Sequence, residues 1–101
     1  MAAAGAPAAV PTDLIGTWQF EGTPIVYAMN SKGRLRFDVG PGQRCLGTFE
    51  AVGGTLKVTY DPGQMGCVDN AAPYEIKDDG NTFSFLSGAY QRVDAKDDTS
   101  F

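Results

Sequence analysis

The sequence predicts an all-β domain, a small antiparallel up-and-down barrel of about eight short strands. Three observations carry that expectation. Apolar residues recur at a period of two in one short run after another, and no run has helical periodicity. Thirteen glycines and six prolines punctuate 101 residues, so turns are frequent. Those turns are so short that neighbouring strands must pair, and closing the sheet removes edges that such aromatic strands would otherwise expose.

The chain opens on an Ala/Pro-rich tail, residues 1–12, with neither charge nor periodicity up to Pro11. Such a segment cannot bury enough surface to offset its ordering entropy. It lacks the basic and long apolar stretches of a signal peptide, and reads either as a passive tail or as an arm that enters a partner's groove. The barrel domain is expected over residues 13–93. Its first strand, residues 14–20, puts Leu14, Gly16, Trp18 and Phe20 on one face. Trp18 is the sole tryptophan, and the core should form around it. A second strand carries Ile25, Tyr27 and Met29 inward and ends at the turn cluster of residues 30–33. In the third, Leu35, Phe37 and Val39 alternate with Arg34, Arg36 and Asp38.

After the break at Gly40-Pro41-Gly42, a fourth strand keeps Cys45, Gly47, Phe49 and Ala51 in phase. The Gly53-Gly54 turn leads to a fifth with Leu56, Val58 and Tyr60 inward. Residues 61–73 read as irregular. Strand pattern resumes at residues 74–77 with Tyr74 and Ile76. Asp78-Asp79-Gly80-Asn81 then makes a turn from residues that tolerate left-handed backbone. Residues 82–86 place Phe83 and Phe85 inward, residues 89–93 form a last strand, and residues 94–101 make a polar tail.

Gly16-Thr17-Trp18 at the start, Asp79-Gly80-Asn81-Thr82-Phe83 before the last hairpin arm, and Arg92 in Tyr90-Gln91-Arg92-Val93 form an ordered set. The set resembles the pattern of small bacterial lipocalin-like domains over residues 14–93. The resemblance implies a calycin-type barrel closed at its base by Gly16, Trp18 and Arg92, with the arginine lying across the indole. The chain is much shorter than an animal lipocalin and has no flanking helix, which weighs against a deep ligand cavity.

Cys45 and Cys67 are the two cysteines, spaced too far apart for a redox Cys-x-x-Cys or a zinc knuckle. An even count in a small turn-rich domain fits a disulfide and an oxidising compartment, periplasmic or extracellular. Closing that loop would contribute about 3 kcal/mol. Histidine is absent, which removes Ser-His, Cys-His and His-ligated metal chemistry. Glu21, Glu50 and Glu75 face solvent by pattern, and Asp61 and Asp69 do not make a spaced calcium-ligand series. No cofactor and no metal are expected.

The expected function is therefore a non-enzymatic exported binding module. Tyr27, Met29, Phe37 and Tyr60 line the barrel and would hold a small apolar ligand at one end, weakly if aromatics fill the interior. A protein partner is the other occupant considered. The alternative reading is a periplasmic inhibitor of serralysin-type metalloproteases, whose arm enters a secreted protease. Gly16-Thr17-Trp18, the cysteine pair and the Ala/Pro arm resemble that plan. A net charge of -4 argues against nucleic acid, no run is long enough to span a bilayer as a helix, and a monomer is expected.

Overall fold

The computed structural model describes residues 10–40 and 42–101. It is a closed barrel of eight antiparallel strands in sequence order, so the up-and-down fold expected from the alternation is the fold observed. The strands are β1 (Gly16–Phe20), β2 (Val26–Met29), β3 (Arg34–Gly40), β4 (Gln43–Val52), β5 (Thr55–Tyr60), β6 (Asn70–Lys77), β7 (Thr82–Phe85) and β8 (Gly88–Asp94). β1 pairs with both β2 and β8, which joins the two ends of the sheet. The inward face is the one the alternation marks, clearest in β5, where every second residue is buried.

The core is largely aromatic. Trp18, Phe83 and Leu35 are fully enclosed. Tyr27 lies 4.5 Å from the Phe37 ring centroid and 5.1 Å from that of Tyr90, and Phe83 stands 5.5 Å from Trp18. Offset and tilted pairs of this kind add about 0.5–1.5 kcal/mol each beyond simple burial. The small barrel is therefore filled by its own side chains.

Four details depart from the sequence expectation. Leu14 belongs to a 3₁₀ turn (Thr12–Leu14) and not to the first strand, because its carbonyl is bent round to accept the Trp18 indole N–H at 3.1 Å. Ile25 precedes β2, its carbonyl closing the β1–β2 turn on Phe20 N–H. Val39 is exposed although in phase, since β3 is already leaving the barrel there through the irregular register at Asp38 and Gly40. Finally, the irregular segment stops at Asp69, and Asn70–Pro73 pair with β5. Two alanines and a proline carry too little apolar contrast to display a period of two.

Up-and-down order puts the odd and even turns at opposite ends. One end holds the 3₁₀ turn, residues 30–33, 53–54 and 78–81, and the C-terminal residues. The other holds residues 21–25, Gly42, 61–69 and 86–87. Pro41 and residues 1–9, most of the Ala/Pro tail, lie outside the described residues. We call these the closed and the open end.

Candidate functional site

Sequence chemistry explains the closed end locally. Gly16 has φ of 137°, and a Cβ there would lie 2.6 Å from the Asp94 carbonyl and 2.7 Å from Arg92 Nη1. Only glycine lets the last strand come this near. The Arg92 guanidinium lies 4.2 Å from the Trp18 ring centroid. It donates through Nη1 to Ile15 O at 2.6 Å, through Nε to Gly80 O at 2.9 Å and through Nη2 to Asp13 O at 2.9 Å. One planar cation thus stacks on the indole and satisfies three carbonyls from two separate turns. Gly16, Trp18 and Arg92 are brought together and pack against one another.

The C-terminal residues reinforce the same end. Asn30 is fully enclosed; its Oδ1 accepts from Lys32 and Arg34 N–H, and its Nδ2 donates to Asp98 O at 3.0 Å. Asp97 accepts from Ser31 N–H and hydroxyl, and these hydrogen bonds hold its carboxyl below the usual range. The Phe101 ring lies 5.4 Å from the Arg36 guanidinium.

The four residues expected to line a ligand site divide. Met29 is level with Gly16 at the closed end and is 1% exposed. Tyr27 and Phe37 face each other across β2–β3 nearer the open end. Tyr60 joins them through Tyr90, which sequence reasoning left out of the set although it sits in phase on the last strand. Burial pushes the Tyr60 phenol up to about 12, with the Tyr90 and Asp69 oxygens adding to it. Burial raises Tyr27 further, helped by Tyr60 and Tyr90 and by a hydrogen bond to Tyr90. Cavities of about 720 and 540 Å³ lie among the described residues, and neither of these two is lined by Tyr27, Met29, Phe37 or Tyr60. The first lies at the closed end between Val10, Pro11 and the outer wall of β4 and β5. The second opens on the outer wall of β6, β7 and β8.

The open end is stapled by a Cys45–Cys67 disulfide spanning 22 residues. Gln64 acts as a substitute strand there: its amide accepts from Leu46 N–H and donates to Leu46 O, both at 2.7 Å. Asp69 accepts Tyr60 N–H at 2.8 Å. Arg34 clasps both oxygens of Asp61 at 2.8 and 3.0 Å, and this hydrogen bonding holds the Asp61 carboxyl low. Both aspartates weighed as calcium oxygens are thus engaged within the protein. Among the described residues no cluster of three or more metal-ligating side chains exists, and no helix is long and apolar enough to cross a membrane.

Sequence reasoning missed the rim. Of the six large apolar side chains exposed among the described residues, Val39, Met65, Val68 and Leu86 lie on the open end, with Met65 95% exposed. The signal was present as apolar residues inside an otherwise polar loop. Leu86 and Ser87 also have φ of 52° and 66°, the left-handed region, which costs about 1–2 kcal/mol per non-glycine residue. No family model, curated protein or solved structure matches the chain.

Proposed function

We propose that this chain is a non-enzymatic, exported binding module of lipocalin-like build that meets a protein partner with the open end of its barrel. The observation that carries the reading is the exposure of Val39, Met65, Val68 and Leu86 at three connections of the open end. Four exposed apolar side chains spread over one end of a small barrel make that end the candidate interaction surface. The filled interior favours a partner seated on the rim over a small apolar ligand inside. The disulfide supports export, since such bonds persist in oxidising compartments. The Trp18–Arg92 stack supports the lipocalin-like assignment.

The test is retention of native periplasmic or secreted proteins on the immobilised chain, compared with a Met65→Glu, Leu86→Glu double variant. The variant should lose the retained protein while melting as the parent does. Equal retention would remove the rim from consideration. Loss only on deleting residues 1–9 would instead support the protease-inhibitor reading, in which the arm makes the contact. Calorimetric titration with a long fatty acid should show weak or no binding.

A further inference from the structure

The pairing of β6 changes sides along its length, at Tyr74. Asn70–Pro73 pair with β5, and Tyr74–Lys77 pair with β7. The phase of the ladder says which backbone groups are left over. Tyr74 N–H donates to Gly54 O at 3.0 Å, so Tyr74, Ala72 and Asn70 address β5. Ala71 and Pro73 therefore point their backbone groups the other way, where β7 has already ended at Phe85 opposite Tyr74. Among the described residues no strand covers that side.

The contrast with other frayed strand ends is informative. At the end of β5, Tyr60 N–H is taken by Asp69. On β4, both backbone groups of Leu46 are taken by Gln64. The Ala71–Pro73 edge has no such side-chain cap, and Asn70 Oδ1 beside it is buried without a partner. Unpaired backbone groups of this kind template an incoming strand.

The edge borders a notch of about 540 Å³ whose lining includes Pro73, Tyr74, Ser84, Phe85, Leu86 and Ala89. Ser84 and Ala89 are small, leaving the floor low. Glu75, also in the notch, has its carboxylate 3.2 Å from Lys77 Nζ, so its charge is paired. The left-handed Leu86 supplies an apolar lip. Resting on the binding-module reading, we propose that this notch receives an extended, uncharged peptide segment of a partner protein, which adds as a strand to β6. Ala71 offers one N–H and one C=O, and Pro73 offers a C=O alone. The missing proline donor restricts the added strand to registers that need none there.

The experiment pans a phage-displayed dodecamer library on the folded chain and synthesises the strongest sequence. Amide exchange at Ala71 should slow on adding that peptide. N-methylating the peptide residue opposite Ala71 should weaken binding about tenfold, the worth of one strand hydrogen bond. A Leu86→Asn, Ser87→Gly variant should bind more weakly while melting at a higher temperature, a combination that general destabilisation cannot produce. The proposal is overturned if no sequence enriches, or if Ala71 is already protected in a self-associated chain on sedimentation. A peptide that perturbs Val39 and Met65 but leaves Ala71 exchange unchanged would overturn the notch while leaving the open-end reading standing.

Discussion

The two ends of the barrel solve the same closure problem in opposite ways. At the closed end, turns use residues suited to their backbone: Gly53-Gly54, and Asp78-Asp79-Gly80, all at positive φ. Loose carbonyls there are gathered by Arg92, and the C-terminal residues lie over the β2–β3 turn. At the open end a disulfide and two side chains, Gln64 and Asp69, do the closing. There a leucine sits in left-handed backbone, and Met65 stands almost wholly in water. One end is arranged for stability. The other tolerates strain and exposure where asparagine, glycine or a polar residue would serve the fold better, as the proposed binding role would require.

Mutations that sharpen this comparison begin with the largest expected effect. Trp18→Ala should destabilise by about 3–5 kcal/mol in urea unfolding, the range for large aromatics in cores. Arg92→Ala should be strongly non-additive with it, since both remove one stack, and Arg92→Lys should fail to restore stability because an ammonium cannot stack as a plane. Additive losses would mean the closed end is not one unit. Replacing Cys45 and Cys67 together with alanine should cost about 3 kcal/mol on the loop-entropy model. Amide exchange should then rise first around residues 61–69. Uniform exchange along the chain would erase the distinction between the ends.

Leu86→Asn with Ser87→Gly should go the other way, raising stability by about 1–2 kcal/mol by removing left-handed strain. A loss of stability would show that the turn serves the fold after all. Below this lies pH. Tyr27 and Tyr60 have phenols raised by burial, so their contribution is complete below about pH 10 and fades as pH climbs through the folded value, about 12 for Tyr60. Phenolate absorbance should show Tyr27 ionising only as the barrel unfolds. Asp61 and Asp97 are held low, so what they contribute is present above about pH 3.9 and is lost as pH falls below it. Arg34→Met should flatten the Asp61 part of the acid arm in thermal melts. Smallest of all, Met65→Ser should leave stability within about 0.5 kcal/mol, as for other surface changes, yet weaken partner binding.

The barrel was legible because Leu56, Val58 and Tyr60, and Leu35 with Phe37, alternate without interruption, and because glycine turns force neighbours to pair. The cysteine pair was legible from its count and setting. Two other things were not. Asn70–Pro73 hide a strand because alanine and proline show no apolar contrast, and pairing with β5, not propensity, makes them extended. The rim stayed hidden because periodicity locates buried faces, and Met65, Val68 and Leu86 stand out only by their exposure. Asp98 reaching Asn30 across 68 residues leaves no local mark either.

The Arg92 contact with Ile15 joins residues 77 apart in the chain. Every earlier hairpin can form from local segments, but this clasp waits for nearly the whole polypeptide. Loop-closure entropy is met before it yields anything, so barrel closure belongs late in folding. A nascent chain emerging from a ribosome or an export channel therefore holds an open, curled sheet until residue 92 is free. Over that interval β1 is an unpaired edge with its tryptophan uncovered, and the aromatic face is vulnerable to aggregation. The arginine that finishes the fold also sets how long the chain stays exposed.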